Sequence, residues 1–270
     1  MERPRVVFLG TGGALNPERY QAAMLVQAAG TSFLLDVGGG LGVVRRLLAC
    51  EVDPLTVRHV FLSHRHLDHV GGLEPLLMYM FYAAYRTGAP PPPVDVHALS
   101  GSSAAIRASL AAADASADSV FGERLKWRTP APGASVSMAE GGATLTLVPV
   151  DHLPPGGEAA ACVVSAGGAR VVYSGDTRPC EALVEAARGA DLLIHEVGGT
   201  ESRAELLHRV GHSTAADAGR VAAKAGVRAL AMFHTPAPIW VAPADMLAEA
   251  RRHAPGVEVF LSEDGMRWQP

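Results

Sequence analysis

The sequence predicts an α/β fold in which two β-sheets pack face to face with helices on their outer sides. Three observations carry that expectation. The chain runs through strand-like and then helix-like periodicity twice, in two successive halves. Its 270 residues are 49% hydrophobic with a mean hydropathy of +0.17, enough apolar material for a large buried core. Several apolar runs also stop abruptly at polar clusters, as buried strands do where they end in loops. No internal repeat and no linker-like stretch divides the chain, so residues 1–270 are expected to form one domain.

The elements follow in order. Arg5 to Leu9 reads as a strand that ends in Gly10-Thr11-Gly12-Gly13 and Asn16-Pro17, which is turn chemistry. Such a glycine loop raises phosphate binding, but no Walker-type lysine follows and no helix opens directly after it. It is expected to line the site instead. Ala22 to Gln27 and Thr31 to Val37 form a hairpin through Ala28-Ala29-Gly30, and Asp36 precedes the turn Gly38-Gly39-Gly40. Gly42 to Cys50 is helical by period, and His59 to Leu62 is a buried strand. Leu76, Leu77, Met80, Phe81 and Ala84 mark a helix over Leu73 to Tyr85. Its Tyr79, Tyr82 and Tyr85 form a stripe that fits either packing or a wall beside the site.

Pro90 to Pro93 is a stiff extended connector. Val94 to Ala98 is a strand, Ser102 to Ala113 a helix, and a polar loop follows. Ala143 to Val150 is a strand. Ala159 to Ser165 and Ala169 to Tyr173 form a hairpin around Gly167-Gly168. Glu181 to Arg188 is helical, and Asp191 to Ile194 is a short strand presenting His195-Glu196. Ser213 to Ala225 is a helix capped by Ser213 or Thr214, with Asp217 in its first turn and Gly226 as its stop. Arg228 to Phe233 is a strand, Pro243 to Arg252 a helix opening on proline, and Val257 to Leu261 the last strand before a short tail.

Bulk properties exclude some functions. The net charge is −4 and no long Lys/Arg run occurs, which argues against a nucleic-acid partner, whose backbone demands a basic face. Cys50, Cys162 and Cys180 are odd in number, far apart and without C-x-x-C spacing. A disulfide framework is not expected, and a reduced cytoplasmic setting is. The opening residues lack a secretory signal, and no apolar run is long enough to span a bilayer.

The chemistry concentrates at His64-Arg65-His66-Leu67-Asp68-His69, directly after the run His59-Val60-Phe61-Leu62. Four side chains capable of binding a metal within six residues lose solvation without packing a core, unless they hold a cation. His64 and His66 can reach one metal, Asp68 and His69 a second close by. His152, Asp176 and His234 also follow apolar strands, so sheet geometry would gather all of them on one rim. Spacing alone supports two transition metals. His59, His97, His195, His208 and His253 sit inside strands and helices, where a solvated or core-satisfied imidazole is the expectation.

The order H-x-H-x-D-H, a lone strand-end His, Ser174-Gly175-Asp176-Thr177 and a final strand-end His resembles the metallo-β-lactamase fold hydrolases. Gly211-His212-Ser213-Thr214, Met232-Phe233-His234, Phe8-Leu9-Gly10-Thr11-Gly12 and Phe33-Leu34-Leu35-Asp36-Val37-Gly38 resemble their tRNase Z-like branch. The resemblance covers nearly the whole chain and is weakest over Met78 to Gly142. It implies a four-layer αββα sandwich with two mixed sheets.

It also implies two divalent metal ions, zinc most often, with manganese or iron as alternatives. One ion would be held by His64, His66 and His152 and the other by Asp68, His69 and His234, with Asp176 bridging. Asp68, His212 and Glu196 are the residues it implies in catalysis, Glu196 orienting the His212 imidazole beside the scissile group. Asp36 is expected behind the motif, holding backbone or a ligand in place. Relatives commonly pair as homodimers, and the helix Leu73 to Tyr85 is the expected contact.

The substrate is read less tightly. Family members that process tRNA carry a long arm between the lone metal His and the S-G-D motif. Here only a short, neutral hairpin region joins His152 to Asp176. A small phosphodiester is therefore the leading expectation, ahead of lactone, ester or aryl sulfate hydrolysis. Cleavage at tRNA 3′ ends and a non-catalytic metal-binding role rank lower. Iron-based redox chemistry lacks the flavodoxin-like partner domain of the redox relatives. Tyr20, Tyr79, Tyr82 and Trp240 are the candidates for an apolar substrate pocket.

Overall fold

The computed structural model describes residues 3–113, 116–138 and 142–270. Its strands are β1 (Arg5–Gly10), β2 (Ala23–Ala28), β3 (Thr31–Val37), β4 (His59–Phe61), β5 (Val94–His97), β6 (Leu125–Arg128), β7 (Ser135–Ser137), β8 (Thr144–Val150), β9 (Ala159–Ala166), β10 (Ala169–Tyr173), β11 (Leu192–Glu196), β12 (Ala229–Phe233), β13 (Glu258–Leu261) and β14 (Arg267–Trp268). They form two seven-stranded sheets, in the orders β14-β1-β2-β3-β4-β5-β6 and β13-β12-β11-β10-β9-β8-β7. Both are mixed. β3 to β6 run parallel, as do β10 to β13, while the remaining pairs are antiparallel.

Strand periodicity of two explains the layers. Phe8, Met24, Phe33, Leu35 and Phe61 point inward from the first sheet. They meet Leu145, Leu147, Cys162, Val164, Tyr173, Ile194 and Phe233 of the second in one buried core. The alternate residues face outward. Val7, Leu9, Leu25, Leu34 and Val60 are covered by helices α1 (Gly42–Ala49) and α3 (Leu73–Tyr85), while the four-residue α2 (Leu67–Val70) carries part of the first motif. Val163, Val172, Leu193, Leu230 and Met232 are covered by helices 181–187, 215–225 and 243–253. The result is the expected helix–sheet–sheet–helix sandwich. The helix Ala215–Ala225 carries a full capping box between Thr214 and Asp217 and stops at Gly226 with φ of +63°.

The differences from the sequence reading lie at edges. β6 and β7 fall within or near the stretch read as loop, and the region also holds a short helix, Ala117–Phe121. The residues read as a short tail include β14, which pairs with β1. Edge strands are covered on fewer sides, so they show little apolar alternation. Residues 114–115 of the polar loop, and 139–141, lie outside the described residues.

Candidate metal centre

The first motif leaves β4 and is anchored from below. Asp36, at the end of β3, is fully buried with φ of +53°, a conformation that costs free energy in a non-glycine residue. Its carboxylate repays that through four donors: Ser63 N at 2.8 Å and, at 2.7 Å each, Ser63 Oγ, the Tyr173 hydroxyl and His69 Nδ1. Ser63 Oγ, having donated to Asp36, accepts from His64 Nδ1 at 3.0 Å. Both imidazoles thus spend Nδ1 on the protein and turn the Nε2 lone pair toward the cluster, the usual way an outer partner orients a metal-binding histidine.

His152 follows β8 and obeys the same logic, its Nδ1 donating to the Gly211 carbonyl at 2.8 Å. Gly211 has φ of +89°, and a Cβ there would lie 2.3 Å from the His152 carbonyl oxygen. Only glycine seats this histidine. His234 follows β12 with φ of +52°, and the glycine loop packs on it. Gly13 N bonds to Thr235 O at 3.0 Å, and a Cβ on Gly13 would lie 3.3 Å from the His234 ring. The loop is held in turn by Asp264, which accepts from Thr11 N and Oγ at 2.9 Å each and from Tyr20 N at 2.8 Å. The glycine loop therefore lines the site, as its composition suggested.

The seven side chains converge. His152 Nε2 lies 3.2 Å from His66 Nδ1, and His69 Nε2 lies 3.3 Å from His234 Nε2. Asp68 Oδ2 is 3.2 Å from His234 Nε2 and 3.4 Å from His69 Nε2. Asp176 Oδ2 sits between the groups, 3.3 Å from His69, 3.6 Å from His234, and 3.9 Å from both His64 and His152. Three overlapping donor sets emerge, each with its atoms within 4.8 Å of one another: His64, His66, His152 and Asp176; Asp68, His69 and His234; and Asp176, His212 and His234.

Metal ions fit this arrangement. His64 Nε2 and Asp176 Oδ1 are buried without a hydrogen-bond partner among the described residues, although both side chains stand in a crowd of possible ligands. Burial, reinforced by neighbouring imidazoles, lowers the pKa of His64, His66 and His152, which favours the neutral form that binds cations. Burial would raise the pKa of Asp176, but His234 and His69 hold it well below the usual carboxylate range. The cluster can hold metal ions through nitrogen and oxygen donors together.

His212 stands beside this cluster, half-exposed, its ring stacked near that of His234 with centroids 5.8 Å apart. Its Nδ1 bonds Glu196 Oε1 at 3.0 Å, and the same oxygen accepts from Thr177 N at 3.0 Å and Ser213 N at 3.2 Å. Glu196 is fully buried at the end of β11, between the segments that carry Asp176 and His212. Burial opposes a charge on His212, but the Glu196 carboxylate outweighs it, with help from Asp176, and lifts the imidazole pKa to about 9. With Nδ1 committed to Glu196, Nε2 is the ring nitrogen left over for a further partner.

Every site residue expected from the sequence lies in or against this cluster, and Asp36 stands behind it. The supporting residues Ser63, Tyr173, Gly211 and Asp264 were not anticipated in these roles. Tyr173 is an ordinary strand residue by pattern, and its hydroxyl's task is invisible without the neighbouring sheet. Among the proposed pocket aromatics, Tyr20 is a correction. Its hydroxyl donates to Val37 O at 2.8 Å and its ring packs under the outer core, so it supports the glycine turns rather than a substrate. Tyr82 and Trp240 are exposed. His195 is buried in the core, with Nδ1 donating to the Glu196 carbonyl at 2.7 Å while Nε2 has no hydrogen-bond partner among the described residues, so it is only half satisfied there.

Comparison with known proteins agrees with this geometry. A family model described as a beta-lactamase superfamily domain matches residues 33–235. Ribonuclease Z of Ignicoccus hospitalis is 33% identical over an alignment covering 87% of this chain and 88% of that protein. Among solved structures, the metallo-β-lactamase fold protein YhfI of Bacillus subtilis superposes with a TM-score of 0.79 at 21% identity, covering all of both chains. The short form of human tRNase Z superposes with a TM-score of 0.71 at 20% identity, covering 98% of each chain. With family model, relatives and strand-end histidines in agreement, the chain belongs to the metallo-β-lactamase fold hydrolases, metal-dependent enzymes, in their tRNase Z-like branch.

Proposed function

We propose that this hydrolase cleaves a phosphodiester, and that its natural substrate is a small molecule. His64, His66 and His152 would hold one divalent ion, Asp68, His69 and His234 a second, with Asp176 shared between them; zinc is the leading identity, manganese or iron the alternatives. When bound, such a pair supplies Lewis acidity and lowers the pKa of an attacking water. The residues of the chain do the rest. Asp36, Ser63 and the Gly211 carbonyl keep the ligand rings in register. His212, held through Nδ1 by Glu196, presents Nε2 to the leaving oxygen and gives it a proton.

The observation that carries the reading is the His212–Glu196 contact at 3.0 Å beside the metal-capable cluster. An imidazole N–H held beside metal-capable residues suits a substrate that is already anionic, which describes a phosphodiester better than a neutral ester or lactone. The small-substrate reading rests on the short 151–158 connection between β8 and β9 and on the net charge of −4. A second reading, RNA cleavage, is favoured by one finding, the name ribonuclease Z carried by the relatives.

The test is a panel run on metal-loaded protein: bis(p-nitrophenyl) phosphate, 2′,3′-cyclic nucleotides, a chromogenic ester, a lactone and a tRNA precursor. Turnover of the phosphodiesters with slow precursor cleavage is expected. Turnover confined to esters or lactones would sink the phosphodiester assignment, and efficient precursor processing would establish the second reading.

A further inference from the structure

The two sheets of the sandwich should meet through apolar faces, yet one corner does not. The register β4–β5–β6 aligns His59 with Asp95 and Lys126, and Phe61 with His97 and Arg128. Since Phe61 is in the inter-sheet core, all of these residues lie on the inner face. His59, Asp95, His97, Lys126 and Arg128 line a half-open cavity of about 670 Å³, to which Val136, Ser137 and Met138 of β7 and its flank also contribute. Within it His59 Nδ1 lies 3.3 Å from His97 Nε2, and Asp95 contributes a carboxylate oxygen within 4.8 Å of both.

We propose that His59, His97 and Asp95 form a further metal site, separate from the hydrolase centre, for a divalent transition ion of the zinc class. The spacing is the first argument. Ligand nitrogens about 2.0–2.1 Å from a tetrahedral ion stand roughly 3.3 Å apart. The two close imidazole pairs of the hydrolase cluster, at 3.2 and 3.3 Å, share that spacing with His59 and His97.

Energetics is the second argument. His97 is 1% exposed, and its Nδ1 has no hydrogen-bond partner among the described residues. His59 and Asp95 are only partly buried beside it, with Asp95 paired to Arg128, so the cost falls mainly on His97, and its one contact with His59 at 3.3 Å offsets little of that. A cation taken by His59 Nδ1, His97 Nε2 and an Asp95 oxygen would replace that weak contact with three ligand bonds, while His97 Nδ1 stays unpartnered among the described residues. Burial also lowers the pKa of both rings, His97 to about 4, so their lone pairs are available at neutral pH.

The neighbouring positive charges do not forbid the ion. Arg128 Nε is 3.2 Å from Asp95 Oδ2, and Arg58 donates to the carbonyls of Leu55 and Val57. An ion with two neutral nitrogens and one carboxylate keeps a net positive charge. Its remaining coordination positions lie on the cavity side, where Lys126 and Arg128 favour an anion or hydroxide as the last ligand. The imidazole-rich set admits copper and nickel as well as zinc. Bound there, the ion would clip β4 to β5 directly upstream of the first hydrolase motif.

The experiment loads chelator-stripped protein with zinc. Ions are counted by plasma mass spectrometry in wild type, His97→Ala and Asp95→Asn, and zinc is located in crystals by anomalous scattering. Wild type should show an anomalous peak between His59, His97 and Asp95, and each variant should bind one equivalent less. Asp95→Asn is nearly isosteric, so it answers if His97→Ala fails to fold. No peak at that position, or equal zinc counts in wild type and a folded variant, overturns the proposal, whatever the hydrolase cluster holds and whatever substrate it turns over.

Discussion

Single residues decide the chemistry here. Replacing His212 with alanine removes the proposed proton donor but none of the proposed metal ligands. The kcat on a phosphodiester should therefore fall by about 10²- to 10⁴-fold with unchanged metal content, read by steady-state kinetics and elemental analysis; undiminished turnover would refute its role. The His212–Glu196 pair also has a pH signature. Its folded pKa, near 9, lies above the ordinary histidine value of 6.5. In metal-free protein its stabilisation is thus fully present below about pH 6.5 and lost as pH rises through about 9. The Tm advantage of wild type over Glu196→Gln should shrink across that window, and a flat difference would contradict the pairing. Tyr173→Phe removes one of four donors to a fully buried carboxylate, with an expected cost of about 1.5–3 kcal/mol in urea unfolding.

At the level of elements, the site depends on where strands stop. β4, β8, β10 and β12 are each followed within three residues by a proposed ligand, so the sheets act as a frame that delivers side chains to one rim. This is why the ligand set was legible. An apolar run broken by His or Asp is a local signal, and four of them, delivering seven candidate side chains in family order, leave little ambiguity. Backbone support is less legible because it acts across the chain. Gly211 looks like turn chemistry until His152, 59 residues earlier, is seen pressing on it. Gly211→Ala should cost about 1–3 kcal/mol of strain and, by displacing His152, weaken metal binding about 10- to 100-fold in a chelator competition. Wild-type affinity would show that the loop relaxes freely. β6, β7 and β14 were missed for a related reason. At sheet edges the sequence need not alternate, and β6 carries Lys126 and Arg128 on a face that periodicity would call apolar.

For the whole molecule, the proposed ligands come from both halves of the chain, His64 to His69 from the first sheet's loops and His152 to His234 from the second's. Ions held there would join the two sheets across their seam, and binding confined to the folded state adds to stability. Chelation should lower Tm by several degrees and restoring zinc should return it, as followed by calorimetry; an unchanged Tm would argue against ions bridging the halves. Among the described residues, no helix is long and apolar enough to cross a membrane.

The last strand carries one more lesson. Asp264, just ahead of β14, fastens the glycine loop, and that loop walls the strained His234. The segment ahead of β14 thus works as a tether on a proposed ligand thirty residues upstream. Loosening Asp264 would therefore be felt at His234 without touching any donor of the cluster itself, a leak in the wall rather than a missing brick.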